Sequence, residues 1–319
     1  MTLLEIFSQM IVLLLSLSAL ATSAKYVVEK ATRLAKFFKI SELAVGFIFI
    51  AVLTSLPELS VAVVSSVTRS NNLSLGDVLG SNITNIALIL GICGFIGLRH
   101  KFEKEEINNM LLLLSISLIP LILIIDGQLT YTDGAILFVL FAAFVYYILS
   151  KRIVINKTER ITKVEAAKDF LIFVTSIAVV IISAAFAVKS AVNIATELGI
   201  FQSFIGATII ALSTSLPELA VDVTAVRKGR SHLALGDILG SCVTNLTLIL
   251  GINIVLNPFL PNMKVISSLI LFVFVAAIAL GYILWKHQTI RKQDGLVLLG
   301  VYLLYLLSIS GVQIFQLGL

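Results

Sequence analysis

VGFIFIAVLTSLPELSVAVVSSVTRSNNLSLGDVLGSNITNIALILG at residues 45–91 and IGATIIALSTSLPELAVDVTAVRKGRSHLALGDILGSCVTNLTLILG at residues 205–251 align without a gap at an offset of 160, and 24 of their 47 positions are identical. The chain of 319 residues is therefore two copies of one unit. Each copy sets Thr-Ser-Leu-Pro-Glu and Gly-Ser-x-x-Thr-Asn inside sequence apolar enough to lie in lipid. A charged side chain near the bilayer centre costs at least ~2.5–3.5 kcal/mol on insertion scales, so an intramembrane Glu points to function. Here the same costly arrangement occurs twice.

The composition fixes the surroundings. With 59% hydrophobic and 13% charged residues and a mean hydropathy of +1.07, the chain lies far outside soluble domains, which are about 25% charged. It reads as an all-α polytopic membrane protein whose main partner is the lipid bilayer. The net charge of +5 does not indicate nucleic acid, because the basic residues sit in short loops between apolar runs, where they set membrane orientation. Cys93 and Cys242 lie in apolar helical sequence and read as small buried side chains rather than a disulfide. No zinc-ligand spacing occurs. His100, His232 and His287 fall in charged loops, outside any recognisable motif, and read as solvated loop residues.

Apolar runs long enough to span, about 20 residues each, fall near 4–24, 41–67, 73–98, 107–125, 132–150, 168–188, 200–226, 233–257, 263–285 and 294–316. That predicts ten transmembrane helices, five per half: a first repeat at 1–150, a linker at 151–167 and a second repeat at 168–319. The first run ends in Ala-Thr-Ser-Ala-Lys, which resembles a signal-peptide cleavage site. It begins with Glu5 and no basic residue, however, and its counterpart at 168–188 is internal, so it reads as a retained first helix. The alternate loops 25–40, 99–106, 151–168, 227–232 and 286–293 hold 20 of the 23 Lys and Arg residues. By the positive-inside rule they face the cytoplasm, the linker among them, which places both termini outside a plasma membrane. Five helices per repeat force the second half to enter the membrane upside down. Inverted repeats are a transporter architecture, with the substrate site near the midplane where broken helices of the two halves meet.

Pro57 and Pro217 lie within helices 2 and 7, where the ring removes a backbone donor and clashes with the carbonyl four residues back, those of Leu53 and Ser213. Each helix is predicted to kink or break there. Carbonyls freed around Ala51–Thr54 and Ala211–Thr214 then face a cavity, the only place at that depth where irregular backbone is tolerated. Glu58 and Glu218 follow directly. Two carboxylates among carbonyls, hydroxyls and amides make an all-oxygen site, suited to a hard cation such as Ca²⁺ with about 6–8 oxygen ligands. Two Glu balance one Ca²⁺, two Na⁺ or two protons, so different loads can compete for one pair.

In the partner helices Asp77, Ser81 and Asn85, and likewise Asp237, Ser241 and Asn245, repeat every four residues and share one helix face. Gly76, Gly80, Gly236 and Gly240 flank them and permit close helix approach. For the serines and asparagines, interhelical hydrogen bonding competes with ion contact, and their pairing by repeat favours contact. For Asp77 and Asp237, placement near a helix N-terminus and a role in the ion path stay equally open. Asp222, four residues after Glu218, has only Ala62 as its counterpart and reads as a vestibule or solvated residue.

At these residues the sequence resembles the sodium/calcium exchanger family of the calcium/cation antiporter superfamily, in the form of a small prokaryotic-type member without a regulatory domain. The likeness rests on the doubled TSLPEL element and the Gly-x-x-Gly-Ser segments ending in Asn85 and Asn245. It implies alternating access, with Na⁺ or H⁺ entry driving Ca²⁺ out. It further implies that Ca²⁺ is held by the side chains of Glu58 and Glu218 and the main-chain oxygens of Thr54 and Thr214. Na⁺ would use the main-chain oxygens of Ala51 and Ala211, the side chains of Ser55, Ser81, Thr214 and Ser241, and the two Glu. Ser215 is the repeat equivalent of Ser55, and Asn85 and Asn245 complete the ring. Some relatives, including potassium-dependent ones, have Asp in place of Asn245, so its absence argues against potassium coupling. Many have Asn where this chain has Asp77 and Asp237.

The expected function is Ca²⁺/Na⁺ antiport without a cofactor. The alternative is Ca²⁺/H⁺ exchange on the same Glu pair, since carboxylates in a low-dielectric cavity can also take up protons. A passive cation channel would present rings of like groups from several subunits, whereas here the symmetry is internal. An intramembrane enzyme would need a nucleophile with a base, and neither GxSxG nor HExxH occurs. The sequence does not specify an oligomeric state, and a functional monomer is compatible with it.

Overall fold

The computed structural model describes residues 3–98, 101–150, 161–197 and 211–316. Within these residues the apolar runs form, in order, α1 (Leu3–Phe38), α2 (Glu42–Thr54), α3 (Leu56–Val67), α4 (Asn71–Ile96), α5 (Lys104–Ile125), α6 (Tyr131–Ser150) and α7 (Lys163–Glu197). After a helical turn at Ala211–Ser213 come α8 (Leu216–Arg227), α9 (Ser231–Leu256), α10 (Met263–His287) and α11 (Lys292–Gln316). The one strand-like pairing among the described residues is an antiparallel bridge between Leu129 and Phe259. Eight of the helices are long and apolar enough to cross a membrane, and α2 with α3, bent by 44° at Ser55, makes a ninth crossing if taken as one broken span. Of the expected span at 200–226, the part up to residue 210 lies outside the described residues. Its remainder is the Ala211–Ser213 turn and α8.

Two helices run further than the sequence suggested. The first was expected to end at residue 24, with a loop at 25–40, but α1 continues to Phe38. The reason is the composition of that stretch, which has neither Gly nor Pro and is rich in helix formers. Ala24, Val27, Val28, Ala31, Leu34 and Ala35 recur at three- and four-residue spacing, and all are buried. The helix therefore leaves the apolar layer as an amphipathic rod. It packs along α7, which begins at Lys163 instead of 168. Between them buried Asp169 accepts from Arg33 Nε at 2.6 Å and pairs with Lys30 Nζ at 3.3 Å.

The centre of the bundle is α4 and α9. In the apolar 18-residue stretch of each, about four-fifths of the residues are buried (78% and 83%), against less than half in the other six unbroken spans. Close approach requires glycine on α9. A Cβ on Gly240 would lie 2.7 Å from Ala51 Cβ and 2.8 Å from Phe47 Cα, and one on Gly236 would meet the Leu43 carbonyl. Reciprocally, a Cβ on Gly46 would meet Leu233 O and lie 2.9 Å from Asp237 N. Such small residues let backbones touch where lipid offers no hydrophobic drive to helix association. Each central helix also carries one wide π turn, Thr84–Ile89 in α4 and Thr244–Ile249 in α9, and α2 carries one at Gly46–Ile50. Such turns often mark functional positions.

Candidate cation site

Both Thr-Ser-Leu-Pro-Glu elements break their helices as the prolines predict. Ser55 (φ −80°, ψ 13°) and Ser215 (φ −89°, ψ 8°) leave helical geometry, and each proline occupies the second position of the helix that follows. There its missing N–H is one that would have no intrahelical partner anyway. Glu58 and Glu218 thus sit in the first turns of α3 and α8, both 1% exposed. A helix N-terminus favours negative charge, so the break supplies both the bend and part of the electrostatic support.

Hydroxyls from both halves reach the carboxylates. Ser81 donates to Glu58 Oε1 at 3.4 Å and lies 3.3 Å from the Thr214 hydroxyl. Ser55 donates to Glu218 Oε1 at 3.5 Å and lies 3.5 Å from the Ser241 hydroxyl. Thr214 donates to Asp77 Oδ1 at 3.3 Å, and the matching contact, Thr54 to Asp237 Oδ1, is 3.4 Å. Ser241 reaches the same Asp237 oxygen at 3.5 Å. All of these exceed the roughly 2.5–3.0 Å of a good O–H···O bond, and Thr54 is more tightly engaged with Ile50 O at 3.0 Å. The carboxylates are ringed by hydroxyls but not satisfied by them.

The second oxygens of Glu58, Glu218 and Asp77 have no partner, nor do Ser215 Oγ and both side-chain atoms of Asn85 and Asn245. Buried polar groups are normally paired, so this concentration at one level of the bundle is the site's most informative property. Asn85 and Asn245 stand second in the π turns, of which Thr84–Ile89 packs on α8 and Thr244–Ile249 on α3. Each asparagine is thereby carried on an element packed against a glutamate-bearing helix. The Ala51 carbonyl accepts Ser55 N–H at 3.1 Å and, at a longer 3.5 Å, the Thr54 hydroxyl. Ala211 opens the short turn ahead of α8. No Lys or Arg appears among the buried described residues, so only cations or protons can offset these acids. No three His, Cys, Asp or Glu side chains among the described residues group tightly enough to hold a metal by themselves. The hydroxyls and amides are needed to complete an oxygen shell.

The two halves are not equivalent. Thr54 and Asp237 are fully buried, while Thr214 and Asp77 are only half-buried. Thr214 lines a mainly apolar cavity of about 530 Å³ walled by Leu53, Leu56, Ile177 and Ile181, with Lys189 of α7 at its edge. On the far side the approach is filled by Asp222, which corrects the expectation of a solvated vestibule residue. Asp222 is 0% exposed and faces Asp237. Its spacing after Glu218 was legible. Its depth was not, because α8 packs along α9 and only its last residue, Arg227, reaches the exposed surface.

One further polar group lay outside the sequence reading. Asn71 donates to Asn253 Oδ1 at 2.8 Å and to Asn257 O at 2.7 Å, and Asn257 returns a bond to Asn71 Oδ1 at 3.0 Å. This clasp joins the start of α4 to the end of α9. The histidines, expected to be solvated, are paired where described: His232 lies 2.8 Å from Glu106 and His287 3.0 Å from Asp294. His100 lies outside the described residues. Cys93 and Cys242 are free and buried.

A family model described as sodium/calcium exchanger protein matches residues 8–150 and 168–311. The chain is 27% identical over 351 residues to sodium/calcium exchanger MaX1 of Methanosarcina acetivorans, covering 93% of this chain and 97% of that one. It is 30% identical to inner membrane protein YrbG of Escherichia coli over 77% of this chain and 79% of that one. Among solved structures it is similar to the sodium-calcium exchanger NCX_Mj soaked with Na⁺ and Sr²⁺, with a TM-score of 0.82 at 25% identity over 95% of this chain and 99% of that one.

Proposed function

The chain belongs to the sodium/calcium exchanger family, and from that premise we propose that it is a secondary-active antiporter exchanging Ca²⁺ for Na⁺ by alternating access. It is a membrane transporter of cations, not an enzyme. The observation that carries the reading is the pair Glu58 and Glu218, each buried at the N-terminus of a proline-broken helix with one oxygen unpartnered. Ca²⁺ bound between them is neutralised, as are two Na⁺. The proposed ligands are the Glu58 and Glu218 carboxylates and the Thr54 and Thr214 carbonyls for Ca²⁺. For Na⁺ they are Ser55, Ser81, Thr214 and Ser241 with the Ala51 and Ala211 carbonyls. Asn85, Asn245 and Ser215 complete the ring, and Asp77 and Asp237 lie just beyond it.

The proposed architecture is ten spans in two inverted repeats, 1–150 and 168–319, in a plasma membrane with both termini outside. The family model's two matched segments, divided at 151–167, support that partition. A second coupling, Ca²⁺ against protons, is favoured by one observation: two further acids, Asp77 and Asp237, border the ring. Radiolabelled Ca²⁺ uptake into proteoliposomes separates the two. Uptake driven by an outward Na⁺ gradient is expected. Uptake driven only by an outward proton gradient would move the protein to Ca²⁺/H⁺ exchange, and uptake with neither gradient would indicate a passive pathway.

A further inference from the structure

The loops joining α4 to α5 and α10 to α11 meet where Phe102 N–H donates to Gln288 O at 2.8 Å. Between them lies a cleft of about 540 Å³, walled by Lys101, His287, Arg291 and Lys292 with the polar Thr289 and Gln293. No carboxylate lines it. Two nearby acids are engaged elsewhere: buried Asp294 accepts Arg291 Nε at 3.0 Å and pairs with His287 Nδ1 at 3.0 Å, and Glu106 pairs with His232 at 2.8 Å. Arg291 is thereby held in place, while Lys101 and Lys292 are exposed and enter no ion pair among the described residues. The repeat shows that the fold does not require these charges. At the offset of 160, Pro261, Gly127, Tyr131 and Thr132 stand at the equivalents of Lys101, His287, Arg291 and Lys292. The positive-inside bias asks for basic residues somewhere in such loops, not for three that close on one acid-free cleft. Clefts of about 300–1,000 Å³ are of ligand size, and two ammonium groups beside an oriented guanidinium fork suit a phosphate.

The surroundings of the cleft identify its occupant. Lys292 Nζ stands 5.9 Å from the centre of the Phe95 ring. Phe95 and, one turn along α11 from Lys292, Leu296 are exposed apolar side chains on helices long and apolar enough to span a membrane. Tyr282 and Trp285, exposed near the end of α10, mark the same level, as aromatic residues do at a membrane–water interface. We propose that the cleft binds the phosphate-bearing headgroup of an anionic phospholipid, with the phosphate held by Lys101, Arg291 and Lys292 and the acyl chains laid along Phe95 and Leu296. Basic pockets between membrane helices on the cytoplasmic side take such headgroups. A lipid bound there bridges the loop after α4 to the start of α11, and these helices already touch at Gly94 and Gly295, where a Cβ on Gly94 would lie 3.2 Å from Gly295 Cα. Because α4 carries Ser81 and Asn85, the lipid braces one of the two central helices from outside the ring, whichever monovalent ion the ring takes.

Trp285 is the single tryptophan of the chain and stands two residues before His287, so its fluorescence reports on lipid at the cleft. The test is quenching of that fluorescence in the full-length protein, reconstituted in Ca²⁺-free buffer into phosphatidylcholine vesicles. The vesicles hold a small fraction of brominated phosphatidylglycerol or, in parallel, of brominated phosphatidylcholine. Stronger quenching by brominated phosphatidylglycerol at equal fraction is expected, and Lys101→Gln combined with Lys292→Gln should remove that preference. Lys163→Gln combined with Lys168→Gln, which takes two exposed charges from the start of α7, outside the cleft, should keep it. Equal quenching by the two lipids in the wild type would overturn the headgroup site, as would a preference that survives in the Lys101 and Lys292 variant. Loss of the preference in both paired variants would overturn it too, by making the attraction a property of the basic loops as a whole. Abolition of the preference by millimolar inorganic phosphate at constant ionic strength would give the cleft to a soluble anion instead of a lipid.

Discussion

Glu58 and Glu218 each offer one oxygen to a distant serine hydroxyl and keep the other unpartnered. A divalent cation held between them loses half its counter-charge when either is neutralised. Breaking a buried ion pair by removing one partner costs on the order of 3–5 kcal/mol, about two to three and a half decades in affinity. Glu58→Gln is accordingly expected to abolish gradient-driven Ca²⁺ uptake in proteoliposomes at concentrations that saturate the wild type. Retained coupled transport would remove Glu58 from the site. Asp77 is a milder case, since it is half-buried and an amide in its place would still accept the Thr214 hydroxyl through its carbonyl oxygen. Asp77→Asn should keep Na⁺-driven uptake, and loss of that uptake would bring Asp77 into the coupling chemistry. The ring residues were legible because a carboxylate, two hydroxyls and an amide are too costly to keep in lipid-facing composition without a polar ligand, and the repeat presents each twice. Asp222 was misread because one sequence cannot say whether a residue five positions from a helix end lies under another helix or under water.

The helices transmit local chemistry into geometry through a few close contacts. The α2–α9 crossing brings Thr54 to Asp237 and Ser55 to Ser241, and it depends on backbone meeting backbone at Gly46, Gly236 and Gly240. Gly46→Ala sets its methyl against Leu233 O and Asp237 N, neither of which can rotate away. Overpacking of this kind costs about 1–3 kcal/mol. A fall in melting temperature together with reduced Ca²⁺ uptake is expected, because the crossing that opens also carries the ligands. At Gly80 the nearest atom to a new methyl is the Tyr305 hydroxyl at 3.3 Å, the far end of a side chain. Gly80→Ala should therefore melt close to the wild type, and equal damage from both would refute the packing argument. Proline and glycine announced these features in the sequence. The π turns left no such mark, since Thr-Asn is compatible with an ordinary helix, and the length of α1 was hidden by basic residues that read as loop but ride on one side of a helix.

At the scale of the molecule, the duplicated sequence is matched by duplicated turns. Arg69 and Gly229, 160 positions apart, both take left-handed geometry (φ 57° and 73°), with Ser70 N bonded to Ser65 O at 2.7 Å and Arg230 N to Ala225 O at 2.8 Å. If five spans precede the repeat of each element, these identical turns lie on opposite faces of the membrane. Thr68 and Lys228 are repeat equivalents, both exposed at those turns, and the native cysteines are free but buried. Thr68→Cys should react with a membrane-impermeant maleimide in intact cells, and Lys228→Cys only after permeabilisation. Labelling of Lys228→Cys alone from outside would keep the inversion and reverse the orientation drawn from the basic loops. Labelling of both from the same side would break the inversion. A half-turn of symmetry in the membrane plane could not then relate the two glutamate-bearing breaks, and access to one shared ring from either face would need a different mechanical basis than rocking one half against the other.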